Sequence, residues 1–435
     1  MDLEVVDLNS GADNSREKKL LFITTRLFFP PESGRKLSLY HYCRGLHKVC
    51  GYKIYLYSFL DSSNREDEAN AKPDFIETVY LANKVGSLAK LKNILFNSLF
   101  GKRQPFQCSL YVDERNMRRI SQLIASVKPS AIIVDMIRLA PYFKAFAEFP
   151  CAKILDMDDL LSKRYERQVA KRESRSDFTG QYGKGGNRVF RAVVNLSPIK
   201  KWILLGECAR LVNYEKYYTY LYDKVILVSQ KETDILNSEL PRPKAITVAV
   251  GCDLEYFASK LPVAKKPNTL SFVGNMNSAQ GSDAVDMIIT RVLPKIKAKV
   301  TLKIFGKCPE GVMNRYKFNE NVVFTGYVDD LRIPVAETEV FLAPIPYGSG
   351  IKTKIIEAMA MGMPVVTNSI GAEGINAVNG THLFIEDDFY DMAKLVDFLL
   401  RSRDKALEIG ANAKKLIQDE YQWEKIWASF ADAGL

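Results

Sequence analysis

The chain has 435 residues, of which 47% are hydrophobic and 26% are charged, and its formal net charge is +10. This length exceeds one compact core, so we expect two domains of about 200 residues each. The seven cysteines form no C-x-x-C pair and no metal-ligand spacing, which favours a reducing compartment over a disulfide scaffold. No apolar run approaches the roughly 18 residues of a membrane span, and LLFITTRLFF (20–29) is predicted to be a buried strand rather than a secretion signal. We therefore expect a cytoplasmic protein.

Short buried strands alternate with helices along the whole chain. In the first half, the predicted strands are 20–28, 52–60, 131–136, 152–159 and 224–229. In the second half they are TLSFVGN (269–275), VTLKIFG (300–306), NVVFTG (321–326), VFLAPIP (340–346), MPVVTN (363–368) and HLFIE (382–386). Such alternation is typical of parallel sheets with helices on both faces. We therefore predict an α/β protein with two Rossmann-like, doubly wound domains that face each other across a cleft.

The two halves are separated by LPVAKKPN at 261–268, a Pro- and Lys-rich segment that is typical of a linker between domains. We predict a first domain at 1–260, which would bind the acceptor of any reaction in the cleft and would carry a basic insertion at about 163–206. The second domain is predicted at 268–415. Ligands of such folds bind at the carboxyl ends of the strands, so the cleft is the predicted site.

The last helical stretch, 394–433, is too long for a domain of the predicted size. We expect this stretch to break, so that its end, 416–435, packs back on the first domain. The two tryptophans near the end, Trp423 and Trp427, are the side chains that we expect to make this contact.

The positive charge is concentrated in two segments. Lys84–Arg103 has five Lys or Arg residues and no acid, and Lys163–Trp202 has eleven against three acids, with aromatic residues between them. No helix-turn-helix, RRM, KH or zinc-finger pattern supports nucleic-acid binding. In LAKLKNILFNSLF (88–100), lysines alternate with leucines and phenylalanines at helical spacing, which indicates either an anionic membrane surface or a core-packed helix with a solvated basic face.

The segment YGSGIKTKIIEAMAMGMPVV (347–366) follows the predicted strand VFLAPIP and opens a helix with two glycines and two lysines. The start of a helix at the carboxyl end of a parallel strand is a site for anions, because its N–H groups are free and its dipole is positive there. Gly348 and Gly350 would allow a ligand to approach the backbone closely. The backbone N–H groups predicted to bind the anion are those of Ser349, Gly350 and Ile351.

Three charged side chains on the same helix complete the predicted site. Lys352 and Lys354 would supply full positive charges to phosphate oxygens. Glu357 lies two turns past Gly350 and would face the cleft, where a carboxylate suits the vicinal hydroxyls of a ribose. The alternative is an exposed Lys354–Glu357 pair that contributes a few tenths of a kcal/mol.

The segment GSGIKTKIIEAMAMGMPVVTNSIGAEGI (348–375) resembles the nucleotide-sugar site of retaining family-4 glycosyltransferases with the GT-B fold. Weaker similarities follow the same order in PPESGRKLSLYHYCRGL (30–46), VSQKETDIL (228–236) and SFVGNMNSAQGSDAV (271–285). LDMDDLLSKRY (155–165) is also similar to bacterial sugar transferases from polysaccharide gene clusters. The resemblance implies a GT-B architecture and a nucleoside-diphosphate sugar as donor.

By resemblance, Glu357 matches the second glutamate of the family's E-x7-E motif, which binds the donor ribose. The first glutamate of that motif, which contacts the transferred sugar, falls on Ser349, a neutral residue. Gly34 matches a loop glycine near the diphosphate, and Glu373 matches an acidic position near the donor.

The family often has a G-R pair and a downstream K-G pair that bind the diphosphate. The matching positions here are the neutral pairs Gly274–Asn275 and Gln280–Gly281. Lys352, Lys354 and Arg35, which would reach across the cleft, are therefore predicted to supply the missing charge. Lys352 is also the predicted catalytic cation, because positive charge fixed at the departing phosphate lowers the barrier.

Many family members place a histidine after the fourth strand, and this chain has IIVDMIRLAP there. We predict that Asp135 takes a catalytic, acceptor-orienting role and that Arg138 assists it. Asp156 and Asp158 in LDMDD could orient an acceptor, cap the next helix or hold Mg²⁺ or Mn²⁺. Because GT-B enzymes generally work without a bound metal, the resemblance implies neither a metal nor another cofactor.

Two functions follow as expectations. The first is retaining transfer of a sugar from the donor to a hydroxyl of a glycan or lipid-linked acceptor, in cell-surface polysaccharide synthesis at the cytoplasmic face of the membrane. The second is a non-catalytic member of the family that acts as a binding partner, because several expected charged residues are missing.

Overall fold

The computed structural model describes residues 17–31, 34–60, 66–93, 96, 104–170, 197–259, 263–348 and 350–435. Within these residues the chain forms two parallel sheets with helices on both faces, as the strand–helix alternation predicts.

The first sheet has the strand order β3-β2-β1-β4-β5-β6-β7, and all its pairings are parallel. The strands are β1 (Lys19–Thr24), β2 (Lys53–Ser58), β3 (Ile76–Leu81), β4 (Ala131–Asp135), β5 (Ala152–Asp158), β6 (Lys224–Leu227) and β7 (Ala245–Thr247). All five strands predicted for this half are present. The two that were not predicted, β3 and β7, lie at the sheet edges.

The second sheet has the strand order β10-β9-β8-β11-β12-β13, again with parallel pairings. The strands are β8 (Thr269–Val273), β9 (Thr301–Phe305), β10 (Val322–Gly326), β11 (Val340–Ala343), β12 (Val365–Thr367) and β13 (Phe384–Ile385). They coincide with the six predicted strands. Its central strand β11 is fully buried, as expected for a parallel strand covered on both faces.

Helices cover both sheets. Those of the first half are Gly34–Lys48, Glu66–Ala71, Ser87–Asn93, Phe106–Ser109, Glu114–Val127, Ile137–Ala145, Leu161–Ala170, Ser197–Leu221, Gln230–Ser238 and Leu254–Ala258. Those of the second half are Ala279–Met287, Ile288–Val292, Leu293–Lys295, Glu310–Arg315, Arg332–Ala336, Thr353–Ala360, Ser369–Ala372, Phe389–Arg401, Arg403–Glu420, Trp423–Ala428 and Ser429–Ala433. Among the described residues, none of these helices combines the length and the apolar composition needed to cross a membrane.

The strand order places a crevice in each sheet. In the first sheet the order reverses between β1 and β4, and in the second it reverses between β8 and β11. Loops on either side of such a reversal leave in opposite directions, which opens a crevice at the carboxyl ends of the strands. The two crevices face each other, so the site predicted after β11 lies opposite the loops after β1, β4 and β5.

The chain ends on the first domain, as predicted. The long helical stretch breaks after Glu420, and the Cys252 N–H donates to the Tyr421 carbonyl at 2.6 Å. The Trp423 indole then stacks on His41 with ring centroids 4.4 Å apart. Trp427 is buried against Gly45 of the helix Gly34–Lys48.

The two basic segments predicted to contact a membrane lie partly outside the described residues. In Lys84–Arg103 the structure describes the helix Ser87–Asn93, and residues 94–95 and 97–103 are not described. In Lys163–Trp202 the residues 171–196 are not described. Contact with an anionic membrane therefore stays a prediction.

The contact of Trp427 with Gly45 predicts that Gly45→Ala destabilises the chain. A Cβ at Gly45 would lie 2.2 Å from the Trp427 ring, so the indole would have to move. Such overpacking typically costs about 1–3 kcal/mol. In the thermal unfolding of the purified chain, we expect a transition several degrees below that of the parent.

The matched control is Gly206→Ala, in the interior of the helix Ser197–Leu221. A Cβ there would have the Arg210 side chain at 3.6 Å as its nearest neighbour, an ordinary contact. Alanine is the better helix former by up to about 1 kcal/mol, so this variant should be as stable as the parent or more so. Equal melting temperatures for the two variants would contradict the predicted docking of Trp427.

Candidate functional site

A cavity of about 440 Å³ lies between the carboxyl ends of the two sheets. Its first-domain wall includes Arg35, Asp158 and Val228, and its second-domain wall includes Gly348 and Lys352. The cavity is thus where the sequence predicts the ligand, in the cleft next to the loop that follows β11. Its volume is within the range of small-molecule sites.

The loop after β11 depends on two glycines. Gly348 has φ of 139° and Gly350 has φ of 65°, a region of backbone conformation that favours glycine. A Cβ at Gly348 would lie 2.5 Å from the side-chain nitrogen of Gln280, and a Cβ at Gly350 would lie 3.1 Å from Val228 of the first domain. The glycines therefore let this loop approach both domains. Ser349, predicted to bind the donor, lies outside the described residues.

The helix after this loop begins at Thr353, later than predicted. Lys352 is its N-cap residue and makes no side-chain capping bond. Thr353 and Lys354 line the cavity, and the N–H groups of a first helical turn have no partner within the helix. The prediction that Gly350 and Ile351 belong to the helix start is therefore wrong, because both residues lie in the loop and the helix presents Thr353 and Lys354 instead.

Burial makes the charged forms of Lys352 and Lys354 less stable than they would be in water. The Lys352 ammonium group donates to the Gly350 carbonyl, and burial lowers the pKa of Lys352 to about 8. The Lys354 nitrogen lies 5.0 Å from the centre of the Phe272 ring, and burial lowers the pKa of Lys354 to about 8. An anion in the cavity would favour the charged form of both lysines.

Glu357 lies one helical turn beyond Lys354 and is half-buried. Burial raises the pKa of Glu357 to about 7, although the charge of Lys354 opposes this rise. The residue does not line the described cavity. Its contact with a ribose therefore stays a prediction.

The segment after β8 lines the cavity through Gln280, in the first turn of the helix Ala279–Met287, rather than through Gly274 and Asn275. The Gln280 amide donates to the Tyr347 carbonyl and lines the cavity. The Asn275 carbonyl accepts bonds from Ser278, which caps the helix Ala279–Met287. Gly274 and Asn275 do not line the cavity.

Arg35 does not reach across the cleft as predicted. Its guanidinium lies 2.8 Å from an oxygen of Asp135, 2.6 Å from one of Asp156 and 3.0 Å from one of Asp158, and its side chain is 8% exposed. These carboxylates lie at the carboxyl ends of β4 and β5, so Arg35 is held in the crevice of its own sheet. The positive charge assigned to the diphosphate is already neutralised by the first domain.

Asp135, for which a catalytic role is predicted, does not line the cavity. Asp135 is fully buried and accepts bonds from the hydroxyls of Thr24 at 3.0 Å and Thr25 at 3.1 Å, as well as from Arg35. Burial alone would raise the pKa of Asp135, but the charge of Arg35 and these hydrogen bonds lower it. A carboxylate in these surroundings helps to hold the first domain together, and its action on an acceptor hydroxyl stays a prediction.

Arg138 also lies away from the cavity, because its guanidinium binds the Gln107 side chain at 2.6 Å and 2.9 Å. Asp156 is buried beneath Arg35, and burial raises the pKa of Asp156 to about 6. Neither residue lines the cavity, so their contacts with an acceptor stay predictions. Asp158 has φ of 67° and lines the cavity, so it retains the predicted position.

Arg167 crosses the cleft in a way that the sequence did not single out. It lies in the helix Leu161–Ala170 of the first domain and binds both carboxylate oxygens of Glu373 as well as the Gly348 carbonyl. Glu373 was predicted to lie near the donor, and its carboxylate is in fact paired with Arg167. In the sequence, Arg167 is one of eleven basic residues between Lys163 and Trp202, with no pattern that marks it.

Comparison with known sequences places the loop after β11 in a family domain. Residues 267–402 match the family model Glycosyl transferases group 1. A 44.6 kDa protein in the cps region of Klebsiella pneumoniae is 26% identical over 220 residues, 48% of this chain and 55% of that protein. A GDP-mannose-dependent phosphatidylinositol monomannoside mannosyltransferase from Mycobacterium tuberculosis is 32% identical over 123 residues, 26% of this chain and 32% of that protein.

A capsular polysaccharide biosynthesis glycosyltransferase from Staphylococcus aureus, CapM, is 29% identical over 111 residues, 25% of this chain and 29% of that protein. The chain thus spans about half of the length of the Klebsiella relative and about a third of the other two.

Solved structures match nearly the whole chain. Sucrose-phosphate synthase from Thermosynechococcus elongatus superposes with a TM-score of 0.65 at 15% identity, over 95% of this chain and 98% of that one. HepE from Anabaena, in complex with UDP, gives a TM-score of 0.63 at 14% identity, over 95% and 98%. The chain therefore has the GT-B fold, and its second domain matches the group 1 glycosyl transferases.

Proposed function

We propose that the chain is a glycosyltransferase that moves a sugar from a nucleoside-diphosphate sugar to a hydroxyl of an acceptor. The observation that carries this proposal is the position of Lys352 and Lys354. Lys352 is buried and Lys354 is half-buried. Both lie beside a glycine loop, at the carboxyl end of a central strand of a parallel sheet, next to a cavity between two Rossmann-like domains. The match to the glycosyl transferases group 1 model covers all of these residues.

The donor is proposed to bind with its diphosphate against Gly348–Lys352 and the first turn of the next helix. Two lysines and helix N–H groups suit a dianionic diphosphate better than a neutral sugar. Glu357, whose carboxylate would accept bonds from ribose hydroxyls, lies one turn further along. The HepE structure with UDP supports a nucleoside diphosphate as the ligand class of this fold.

The reaction needs stabilisation of the leaving group more than it needs a strong base. As the bond between the sugar carbon and the phosphate oxygen breaks, negative charge grows on the departing nucleoside diphosphate, where Lys352 would stabilise it. We propose retention, with the acceptor hydroxyl attacking from the same face and passing its proton to that phosphate oxygen. Asp158, on the opposite wall, would orient the acceptor hydroxyl.

The acceptor is proposed to be a growing glycan or a lipid-linked glycan in the synthesis of a cell-surface polysaccharide. The relatives named above include a capsular polysaccharide glycosyltransferase and a mannosyltransferase acting on phosphatidylinositol monomannoside. The basic segments Lys84–Arg103 and Lys163–Trp202 would hold the enzyme at the anionic cytoplasmic face of the membrane. Catalysis without a bound metal or another cofactor is part of the same proposal.

Replacing Lys352 by methionine should reduce the rate of sugar transfer about 100-fold, because the growing charge on the diphosphate loses a fixed cation. The measurement is steady-state transfer, or donor hydrolysis, with the nucleotide sugar whose nucleotide stabilises the chain best among UDP, GDP and dTDP. Lys415→Met is the control and should keep the parent rate, because this lysine is exposed and does not line the cavity. Donor binding without any turnover by the parent would instead favour the non-catalytic alternative.

The proposed contact of Glu357 with ribose predicts that Glu357→Ala no longer distinguishes a nucleoside diphosphate from one of its deoxy forms. The parent should bind the preferred nucleoside diphosphate more tightly than its 2′-deoxy or 3′-deoxy form, by about the 1.5–3 kcal/mol of a charged hydrogen bond. In Glu357→Ala that difference should vanish for at least one of the two deoxy forms, as measured by calorimetry. The ribose assignment fails if the variant discriminates as well as the parent.

The pKa values predict a bell-shaped dependence of nucleotide affinity on pH. Affinity should rise as pH passes through about 7, because Glu357 then loses its proton and becomes a better acceptor. Affinity should fall above about 8, because Lys352 and Lys354 lose their positive charge. In Lys352→Arg the cation persists at high pH, so the fall on the alkaline side should become shallower. A flat profile between pH 6 and 9.5 in the parent would refute this assignment.

A further inference from the structure

We propose that Arg167 is a positioning residue for the donor site: from the first domain it fixes the carbonyl of Gly348 and the carboxylate of Glu373, and so holds the donor loop and the closed cleft together. This inference rests on the proposed function, because it concerns the loop that would bind the diphosphate. It assigns a role to a side chain of the acceptor-side domain in binding the donor.

The contacts of Arg167 are strong and span the cleft. Its two terminal nitrogens lie 2.6 Å and 2.7 Å from the two oxygens of Glu373, a bidentate arrangement in which both groups are charged. One of these nitrogens also donates to the Gly348 carbonyl. The arginine is 28% exposed and the glutamate 11% exposed, so water screens the pair less than it would at an open surface.

The loop after β11 needs a contact from outside because the backbone of its glycines can adopt many conformations. Gly348 has no side chain to restrict its conformation, and its φ of 139° is accessible mainly to glycine. A glycine loop pays a large entropic cost when it is ordered for a ligand. A guanidinium bound to the Gly348 carbonyl removes part of that freedom before the donor arrives.

Glu373 also needs a cation at this place. Its carboxylate would repel a diphosphate bound at the neighbouring Lys352, whose charged form Glu373 favours. Arg167 neutralises this carboxylate, and Lys231 of the first domain approaches it at 3.5 Å. We therefore infer that Glu373 acts on the donor through Arg167 and the position of the loop, rather than by contacting the donor itself.

The close approach of Gly350 to Val228 is a second contact between the same two surfaces. A Cβ at Gly350 would lie 3.1 Å from the Val228 side chain. On its first-domain side, the loop thus meets an apolar side chain at Gly350 and a hydrogen bond from the Arg167 guanidinium at Gly348. Loss of Arg167 should release the loop and let the domains separate.

The experiment compares Arg167→Met, Glu373→Ala and the exchanged pair Arg167→Glu/Glu373→Arg, each as the full chain. Small-angle scattering of the ligand-free chain reports whether the domains separate, and calorimetry reports the affinity for the preferred nucleoside diphosphate. Lys163→Met is the matched control, because this lysine lies on the same helix and pairs with Glu166 at the surface. Circular dichroism confirms that each variant is folded.

Both single variants should have a larger radius of gyration than the parent and bind the nucleotide on the order of 10- to 100-fold more weakly. The exchanged pair should recover the parent radius and at least part of the affinity, and Lys163→Met should match the parent in both. Arg167→Lys, which keeps the charge but not the bidentate geometry, should lie between the parent and Arg167→Met.

Two outcomes would overturn the inference. One is an unchanged radius and an unchanged affinity in Arg167→Met. The other is a loss of affinity in Arg167→Met without a loss in Glu373→Ala and without recovery in the exchanged pair, because Arg167 would then contact the donor directly. If the parent binds no nucleoside diphosphate, the proposed function fails, and an unchanged radius in Arg167→Met would show that the contact across the cleft fails as well.

Discussion

The docking of the chain end on the first domain is the constraint on which the site depends. Two Rossmann-like domains joined by a linker have no fixed orientation of their own, and their crevices face each other because the last helix returns to the first domain. Trp423 and Trp427 fill positions left open by Gly251 and Gly45, where a Cβ would lie 2.5 Å and 2.2 Å from the indoles. Because this apolar contact lies away from the cavity, it joins the end of the chain to the first domain, and the contacts of Arg167 then hold the cleft itself closed.

The two domains contribute different charged side chains to the cavity. The first domain contributes Asp158 and Asp159 together with Arg35 and Arg164, so opposite charges are balanced on its wall. Arg35 also contacts the buried carboxylates of Asp135 and Asp156. The second domain contributes Lys352 and Lys354, whose pKa values fall to about 8 because they are buried near the cavity without full compensation. A dianionic ligand next to the second domain therefore gains most, since it offsets a desolvation cost that the folded chain already bears.

The sequence predicted the architecture well because strand patterns are local. Every strand predicted in both halves is present, and the two that were missed lie at the edges of the first sheet, where burial is weaker. The contacts of Arg35 could not be predicted, for a non-local reason. Whether Arg35 faces the cleft or its own sheet depends on carboxylates 100 to 123 residues away, and nothing in the neighbourhood of Arg35 in the sequence encodes that choice. The helix start after β11 was misplaced by a few residues for a related reason, because two glycines with left-handed backbone extend the loop.

The neutral residues at Asn275 and Gln280 are best understood together with the contact that the first domain makes across the cleft. Where the family resemblance implies cations, this chain has the neutral Asn275 and Gln280, and the Gln280 amide donates to the Tyr347 carbonyl. The loop after β11 thus accepts hydrogen bonds from the Gln280 amide of its own domain and from Arg167 across the cleft. In the proposed donor site, both cations come from the start of one helix, Lys352 at its N-cap and Lys354 in its first turn. That helix and the loop before it would then have to be held rigidly, because Asn275 and Gln280 are neutral and could not replace a displaced cation. The contact of Arg167 with Glu373 and Gly348 would supply this rigidity. It can form only when the two domains are close together. The affinity for the donor would therefore depend on the same closed geometry that excludes water from the reaction.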